Sequence, residues 1–364
     1  MWPTIFELKL PFWPHELTIR SYGLMLMIGF LGGTWWAARR AERVKANPEL
    51  VVNMGFVALL SSIIGARVFY VIHYWDEHFA GRGFWAVVNI TAGGLEFYGG
   101  FIGALAALIL YLRRARVSLR LYLDIIAPSI AFGLAVTRIG CFLNGCCWGG
   151  PCPAQVPWSV RFPYQSPAFE RQWQQRLTAL PAPLIGVHEI DGLGYRVDPF
   201  SDEKQTGLVL HAAKFGLTRD DLARMARAVE PTALTLHPVQ LYASLDAGLL
   251  AILLNTVFYR RKRHGILAAL FLILYPIMRI FEEIIRMDNP HDTAGLTISQ
   301  FVSVVLLAIG LATWLVLRKL PVRSPLAVPY RPPAERALSG PEPTASGKPK
   351  PPHAAGARKR AGKS

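Results

Sequence analysis

The sequence predicts an all-α polytopic membrane protein with about seven transmembrane helices, an extracytoplasmic arm and a small head lobe. Composition is the first reason. Of 364 residues, 52% are hydrophobic and only 17% are charged, whereas soluble domains carry about 25% charged residues. The second reason is a series of apolar runs close to the roughly 20 residues that a helix needs to cross a bilayer. Four cysteines are too few for a disulfide-dense secreted scaffold.

Seven apolar runs are candidate membrane spans. In chain order they cover residues 20–38, 50–72, 96–112, 121–141, 237–258, 265–287 and 297–317. The stretch before the first run lacks the basic start of a cleavable signal peptide and is interrupted by Pro11 and Pro14. We therefore expect the first span to be retained.

These spans divide the chain into four predicted domains. Residues 1–153 form a membrane domain with spans 1–4 and an arm at 73–95, and residues 236–320 form a second membrane domain with spans 5–7. Between them, residues 154–235 form an extracytoplasmic head insert. Residues 321–364 are rich in Pro, Ala, Gly and Lys and are expected to be a disordered basic cytoplasmic tail.

Local signals predict structure in the arm and in the insert. Four aromatic side chains place the arm at the membrane interface, namely Trp75, Phe79, Phe84 and Trp85. In the insert, Thr218 and Asp221 resemble a capping box that opens a helix running to about Glu230. The segments Tyr195–Val197 and Leu208–His211 are candidates for short strands.

The distribution of basic residues predicts the topology. They cluster in residues 39–49, 113–120 and 260–263 and after residue 317. The first cluster holds Arg39, Arg40, Arg43 and Lys45. Because Lys and Arg concentrate in cytoplasmic loops, we expect an extracytoplasmic N-terminus and a cytoplasmic C-terminus. Most of the formal net charge of +15 falls in these segments. We therefore interpret the charge as a topology signal and expect no nucleic-acid partner.

Ionisable residues inside predicted spans are costly and often functional. The arginines are Arg67, Arg138, Arg279 and Arg286, and the carboxylates near them are Glu96, Asp124, Asp246, Glu282 and Glu283. Arg279, Glu283 and Arg286 share one helical face through their i, i+4 and i+7 spacing. The charges are either structural ion pairs or a site for an anionic lipid headgroup, because guanidinium forks match phosphate oxygens.

Three motifs carry polar residues, and the first two also carry glycines. The segment Arg138–Gly149 contains an arginine, Asn144 and three glycines where a helix should leave the membrane. This composition predicts irregular backbone, which at membrane depth is tolerated only against protein or a water-filled cavity. It is the strongest candidate site. In Gly93–Gly100, the residues Gly99 and Gly100 either present backbone N–H groups to a ligand or allow close helix packing. In His237–Tyr242, the residues His237 and Gln240 either bind substrate or cap and hydrogen-bond the bundle.

The four cysteines lie within twelve residues with the spacing C-x4-C-C-x4-C, and they are Cys141, Cys146, Cys147 and Cys152. This spacing lacks the C-x2-C pairs of zinc sites. Buried packing is the favoured interpretation. A disulfide near the outer face and metal binding are the alternatives.

Taken in order, these motifs resemble those of the phosphatidylglycerol–prolipoprotein diacylglyceryl transferase family, the bacterial lipoprotein diacylglyceryl transferases. The matching segments are Arg20–Met25, Gly65–Tyr70, Gly93–Gly100, Asp124–Pro128, Arg138–Gly149, His237–Tyr242 and Arg279–Arg286. They fall in every predicted span except the last.

The resemblance implies a multi-pass enzyme of the bacterial inner membrane that acts in the first step of lipoprotein maturation. Such an enzyme moves the diacylglyceryl group of phosphatidylglycerol to the lipobox cysteine thiol of a prolipoprotein signal peptide and releases glycerol phosphate. The family's essential residues match Tyr22, Arg138 and Arg279, its signature Asn-Gly and closing Gly match Asn144, Gly145 and Gly149, and its sixth-helix Glu matches Glu283.

The chain departs from the family pattern at three side chains and in one insertion. Tyr98 stands where many members have a His that has been considered the base for the thiol. Cys141 stands where Asn is common, and Cys146 stands where Glu is frequent. The insert at 154–235 also looks longer than usual. An inactive or partner-adapted paralogue is therefore one alternative.

The implied chemistry assigns a role to each remaining candidate. Departure of the phosphate builds negative charge that Arg138 and Arg279 would stabilise, with Arg67 and Arg286 in support. Tyr98, Glu283 or the lipid phosphate would take the thiol proton, while Asn144 and Tyr22 would orient the headgroup. No metal or organic cofactor is required. A seven-span transporter or an anion- or lipid-binding protein without chemistry is the rival interpretation.

Overall fold

A computed structural model describes residues 4–8, 17–90, 93–164, 166–181, 184, 187–190, 193–196, 216–286 and 295–330. Most of them are helical. The elements are β1 (Thr4–Leu8), β2 (Leu17–Arg20), α1 (Ser21–Arg43), α2 (Pro48–His73), a π-helical turn (Trp75–Phe79), α3 (Phe84–Val88), α4 (Phe97–Arg114), α5 (Leu119–Asn144), α6 (Pro167–Gln174), β3 (Val187–Ile190), β4 (Leu193–Arg196), α7 (Arg219–Val229), a 3-10 turn (Glu230–Thr232), α8 (Val239–Arg260), α9 (Ile266–Ile285) and α10 (Ile298–Lys319). The strands form two antiparallel hairpins, β1–β2 and β3–β4.

Five of the described helices are long and apolar enough to cross a membrane, namely α2, α4, α5, α8 and α10. The helices α1 and α9 have 23 and 20 residues. Helix α9 carries Arg279, Glu282 and Glu283 near its end. The protein is therefore a mainly helical chain with multiple apolar spans, and these helices begin and end close to the predicted runs.

Capping side chains explain several of the helix boundaries. The Asn47 side chain accepts hydrogen bonds from the N–H groups of Glu49 and Leu50 ahead of α2. Ser118 caps the first turn of α5 in the same way. The predicted capping box of Thr218 and Asp221 is confirmed, because it opens α7.

Helix α5 lies at the centre of the bundle, where it packs against α1, α8 and α9. Ile125 of α5, Leu254 of α8 and Leu267 of α9 are fully buried in the same apolar core. Helix α10 packs on α9, and α2 pairs with α4. The resulting arrangement brings the carboxyl ends of α5 and α9 to the same end as the start of α8.

The α2–α4 pair depends on glycines at its contact. A Cβ atom at Gly99 would lie 2.5 Å from the carbonyl oxygen of Gly65 and 2.2 Å from the Cβ of Phe69. A Cβ at Gly100 would lie 3.0 Å from the carbonyl oxygen of Ser62. Close packing of the two backbones therefore accounts for both glycines.

At the opposite end of the bundle from the carboxyl end of α5, Asp124 anchors the start of α9. Its Oδ1 accepts hydrogen bonds from the N–H groups of Leu267 and Ala268 at 2.9 and 3.1 Å. Its Oδ2 accepts from the N–H of Gly265 at 2.7 Å and from Nε of Arg261 at 2.9 Å. This buried carboxylate satisfies the exposed donors of a helix N-terminus, which is a structural role.

At the carboxyl end of α5, backbone hydrogen bonds join three segments. The N–H of Gly149 donates to the carbonyl of His237 at 3.0 Å, and the N–H of His237 donates to the carbonyl of Gly150 at the same distance. The N–H of Gly150 donates to the carbonyl of Ile285 at 2.8 Å. The loop after α5 is thereby tied to the start of α8 and to the end of α9.

The structure differs from the sequence-based expectation at two residues, Arg40, expected in a basic loop, and Phe79, expected at the membrane interface. Arg40 belongs to a helix that continues to Arg43, and it is only 1% exposed. Its guanidinium donates to the carbonyl of Ile125 and stacks 4.8 Å from the Trp36 ring. Phe79 is also buried, beneath the guanidinium of Arg67. Its predicted interfacial neighbours are exposed, namely Trp75, Phe84 and Trp85.

The insert contains helical segments with a small apolar cluster. Phe169 of α6 and Val229 of α7 pack with Leu184 and Ala233. Tyr195 lies in the observed strand β4, whereas Val197 and the predicted strand Leu208–His211 lie outside the described residues. Of the predicted tail, residues 321–330 are described and contain no helix or strand, and residues 331–364 lie outside the described part.

Candidate active site

The first group of candidate side chains lies where α5 ends. Arg138 and Cys141 are one turn apart on α5 and share a face. Tyr22 of α1 packs against the same turn, because a Cβ at Gly140 would lie 3.2 Å from the Tyr22 Cα. Tyr22 lies in the electrostatic environment of Arg138 and of three cysteines, Cys141, Cys146 and Cys147. The tyrosine is 38% exposed, so the group is reachable from outside the bundle.

The second group is an ion-pair network at the end of α9. Nη1 of Arg279 donates to Glu282 at 3.1 Å, and its Nη2 lies 2.6 Å from Glu283. Nη1 of Arg286 pairs with the same oxygen of Glu283 at 3.4 Å. The other Glu283 oxygen accepts a hydrogen bond from the Thr297 hydroxyl at 3.0 Å. The predicted face of Arg279, Glu283 and Arg286 is therefore observed as a chain of ion pairs.

The two groups adjoin each other. Arg138 interacts electrostatically with Glu282, and Cys147 interacts with Arg286. A backbone bridge also pairs Gly149 with Arg286. The arginines of α5 and α9 thus line one polar region at one end of the bundle.

Arg138 differs from the other arginines of this region. Among the described residues, its guanidinium has no hydrogen-bond or ion-pair partner, whereas the charge of Arg279 is opposed by two carboxylates. A partly buried guanidinium whose donors are not taken by a carboxylate can bind an anion, because these donors match the oxygens of a phosphate. Its position therefore suits the phosphate of a lipid headgroup.

The turn after α5 determines where the cysteines lie. Gly145 has a φ of 74° and ends the helix in the left-handed conformation. The next residue folds back, so that the N–H of Cys146 donates to the carbonyl of Cys141 at 3.1 Å. The sulfur atoms of Cys141, Cys146 and Cys147 all lie within 4.8 Å of one another. Hydrogen bonds from the other two thiols, aided by Arg286 and Arg138, lower the pKa of the Cys147 thiol.

Three further candidates lie around this turn. Asn144 is the last residue of α5 and is half-buried. Nε2 of Gln240 donates to the carbonyl of Cys146 at 2.7 Å, which supports the turn from α8. Nδ1 of His237 lies 3.3 Å from the Tyr242 hydroxyl. The contacts of Gln240 and His237 match the bundle-bonding interpretation of their motif.

The remaining candidates lie on the α2–α4 pair. The guanidinium of Arg67 donates to four backbone carbonyls of the arm at 2.8–3.0 Å, those of Ala86, Val87, Gly93 and Gly94. Tyr98 is half-buried in the first turn of α4, with its ring beside Phe97. No contact within the described part of the chain joins Arg67 or Tyr98 to Arg138.

An apolar cavity of about 360 Å³ runs between α1, α2 and α5. Its wall includes Leu26, one turn after Tyr22, and Thr137, the residue before Arg138. Further lining residues are Phe30, Met54, Ile126 and Ile130. The cavity therefore ends beside the polar region and provides an apolar surface of the kind that holds acyl chains.

The model of the family described as prolipoprotein diacylglyceryl transferase matches residues 11–316 of this chain. The chain belongs to the prolipoprotein diacylglyceryl transferase family. Its relatives named phosphatidylglycerol–prolipoprotein diacylglyceryl transferase include one from Bdellovibrio bacteriovorus, which is 29% identical over 81% of this chain and 88% of the relative. One from Rhodopirellula baltica is 28% identical over 82% and 72%, and one from Nitratidesulfovibrio vulgaris is 28% identical over 83% and 90%.

Membership of the prolipoprotein diacylglyceryl transferase family confirms the resemblance drawn from seven short motifs. Sequence reasoning missed Thr297 and Ser299, which bond to Glu283 and Arg279. It also missed that the side chains of three cysteines lie together. Their spacing in the sequence does not show that the chain turns back after α5. Gly145 in that turn was the available signal.

Proposed function

We propose that the protein transfers the diacylglyceryl group from phosphatidylglycerol to the lipobox cysteine thiol of prolipoproteins and releases glycerol phosphate. The main support is the guanidinium of Arg138, which has no hydrogen-bond or ion-pair partner among the described residues and follows a residue of the cavity wall, in a member of this family. A cation of this kind beside an acyl-sized cavity fits an anionic phospholipid better than a soluble anion.

The chemistry needs a stabilised leaving group. As the bond between the glycerol carbon and the phosphate oxygen breaks, negative charge collects on the phosphate, and donors already in place lower this barrier. We assign this role to Arg138 and Arg279, with Arg286 in support, whereas Arg67, predicted to support them as well, donates to the carbonyls of the arm. Tyr22, Asn144, Gly145 and Gly149 would position the headgroup around Arg138, and Gly99, Gly100, His237 and Gln240 would complete the predicted substrate site.

The proton of the substrate thiol needs an acceptor. Both carboxylate oxygens of Glu283 already bond to Thr297 or to arginines. We therefore assign Glu283 the positioning of Arg279 and Arg286. Tyr98 and the lipid phosphate are the remaining acceptors among the groups that the sequence suggests.

The proposed setting is the bacterial inner membrane, with the active end of the bundle at the extracytoplasmic face. In this topology α1 and α9 cross the membrane together with the five apolar helices, which makes seven spans. The insert and the arm then lie outside, where prolipoprotein signal peptides and membrane lipid would meet the site.

Substitution of the arginines tests the function. We expect Arg138→Ala and Arg279→Ala each to abolish lipidation of a lipobox peptide, measured as a mass shift in membranes with phosphatidylglycerol. Arg138→Ala should leave the thermal midpoint nearly unchanged, because Arg138 has no partner among the described residues. Arg82→Ala in the arm is the control and should stay active. Wild-type turnover in either alanine variant contradicts the assignment, and lipid binding without a mass shift in the unaltered protein favours the non-catalytic alternatives.

A further inference from the structure

Three thiols converge at the proposed active end of the bundle. The sulfur atoms of Cys141, Cys146 and Cys147 lie within 4.8 Å of one another. Cys141 is buried, while Cys146 and Cys147 are half-buried. Simple packing does not require the left-handed φ of 62° at Cys147. Such a conformation is strained for a side chain with a Cβ and is retained mainly where the surroundings hold it in place.

The spacing of the sulfurs matches the needs of one metal ion. Zinc binds cysteine sulfur at about 2.3 Å, which places the sulfurs of a tetrahedral site about 3.8 Å apart. Sulfurs already within 4.8 Å reach that geometry through small rotations about their side-chain bonds. Soft thiolate ligands select thiophilic ions such as Zn²⁺ over Mg²⁺ or Ca²⁺.

The charges around the cluster also favour a thiolate-bound cation. Three thiolates with one Zn²⁺ carry a formal charge of −1, and Arg138 and Arg286 both act on Cys147. The positive charges of the two guanidinium groups therefore compensate the negative charge of the metal cluster, and they still do so if a fourth thiolate joins it. Gln240 reinforces the site through its 2.7 Å hydrogen bond to the Cys146 carbonyl, and its buried Oε1 has no partner among the described residues.

We infer that Cys141, Cys146 and Cys147 bind a Zn²⁺ ion whose fourth coordination position takes the lipobox cysteine of the substrate as a thiolate. The inference rests on the proposed transferase function and adds to it the group that activates the thiol. Zinc sites with three protein ligands and an open position are the catalytic kind. A thiol that coordinates such an ion loses its proton, so no histidine base is needed where this chain has Tyr98.

The step balances without an oxidant or reductant. The substrate thiol coordinates the ion and releases its proton to the surrounding solvent. An electron pair of its sulfur then attacks the diacylglycerol carbon that carries the phosphate and forms the C–S bond. The C–O bond to the phosphate breaks, its pair leaves on the phosphate oxygen beside Arg138, and that oxygen takes up one proton as glycerol phosphate departs.

The metal content of the full-length protein tests the site. The protein is purified in phosphatidylglycerol nanodiscs under reducing conditions, stripped with a chelator and reloaded with Zn²⁺. We expect about one ion per chain in the unaltered protein, and loss of the ion in Cys141→Ser, Cys146→Ser and Cys147→Ser. Cys152→Ser is the matched control and should keep the ion, because Cys152 is buried outside the cluster. Absence of bound Zn²⁺ from the reloaded protein overturns the inference.

Cobalt replacement tests the open position without any variant. Co²⁺ in the site should show thiolate-to-cobalt charge-transfer absorption that strengthens when a lipobox peptide is added and does not change with the peptide's Cys→Ser form. If the absorption does not change when the thiol peptide is added, the substrate thiol does not coordinate the ion. A disulfide between two of the three cysteines in the anaerobically purified protein also overturns the inference.

Activity separates this inference from the proposed function. We expect the stripped protein to lose lipidation by about 100-fold or more, the scale of a proton-transfer contribution, and to regain it with Zn²⁺. A stripped protein that lipidates the peptide at the full rate refutes the zinc inference and leaves the transferase function intact. A loaded protein that binds the peptide thiol but never shifts its mass refutes the function and leaves the metal site intact.

Discussion

Among single residues, Asp124 and Arg138 show how far a sequence can separate structural from functional charges. Both lie in one predicted span, and both are costly in a membrane. In the structure Asp124 accepts four hydrogen bonds, all from Arg261 and from the first turn of α9, while Arg138 has no such partner within the described residues. The sequence predicts the presence of the charges but not their partners, because the groups that satisfy Asp124 lie more than a hundred residues away.

Removal of the Asp124 carboxylate should destabilise the bundle. Asp124→Ala leaves Arg261 buried without its partner and exposes the donors of α9, which costs about 3–5 kcal/mol. We expect a large fall in the thermal midpoint in detergent, and a smaller fall for Asp124→Asn because the amide oxygen still accepts. Asp246→Ala is the control, since Asp246 has no hydrogen-bond or ion-pair partner in the described part. Equal midpoints for Asp124→Ala and the control contradict the anchoring role.

His264 should make stability depend on pH. Burial, together with Arg261, Arg120 and Arg323, lowers the pKa of His264 to about 4, below its ordinary value near 6.5. The neutral ring accepts a hydrogen bond from the N–H of Ser324 at 3.3 Å. The contribution of neutral His264 to folding stability is therefore complete above pH 6.5 and is lost as the pH falls toward 4. The reason is that His264 takes up a proton at a higher pH in the unfolded chain than in the folded protein.

Thermal midpoints between pH 8 and pH 4 check this prediction. The unaltered protein should lose stability through that window, and His264→Gln should lose less. An identical pH dependence for the two proteins means that other groups are responsible.

At the scale of elements, apolar runs predicted the approximate bounds of the long helices, one capping box predicted the start of α7, and tertiary contacts decided the exceptions. Helix α1 continues past its predicted end to Arg43 because Arg40 finds acceptors on α5. The glycine pair Gly99 and Gly100 allowed two interpretations from sequence, and the close approach of Gly65 accounts for packing. The binding role of both glycines stays a prediction.

The arm between α2 and α4 should depend on one arginine. Arg67 bonds to four arm carbonyls, so Arg67→Ala removes the donors that hold this segment. We expect faster chymotrypsin cleavage at Trp75, Phe84 or Trp85, with little change in the midpoint of the helical core. Arg82→Ala is the control, because it removes an exposed arm arginine without altering those cleavage sites. Equal cleavage in the two variants contradicts the anchoring role.

For the whole molecule, hydropathy and the order of motifs predicted the helical membrane class and the family, which the structure and the comparisons support. The packing order was not predictable. The central position of α5 arises from contacts between segments that are distant in the sequence. The residue pattern of a single sequence does not show which segments meet. The gathering of the cysteines was missed for the same reason, since it depends on the turn at Gly145 and on the distant support of Gln240.

The topology makes a prediction for the intact cell. The basic segments 113–120 and 260–263 should face the cytoplasm together with the C-terminus. An epitope at the C-terminus should resist external protease in intact spheroplasts and be cleaved after permeabilisation. An epitope placed in the insert after residue 205 should be cleaved in both. The reverse pattern overturns the proposed orientation.

The anchoring of α9 at both ends has a mechanical consequence. Asp124 clamps its first turn to α5, and the backbone ladder through Gly149 and Gly150 clamps its last turn to the loop that follows α5. Both ends of α9 are therefore fixed relative to α5, which limits how far the separation between Arg138 and Arg279 can change when a lipid arrives. Little reorganisation then remains for the moment of reaction, when the phosphate charge develops.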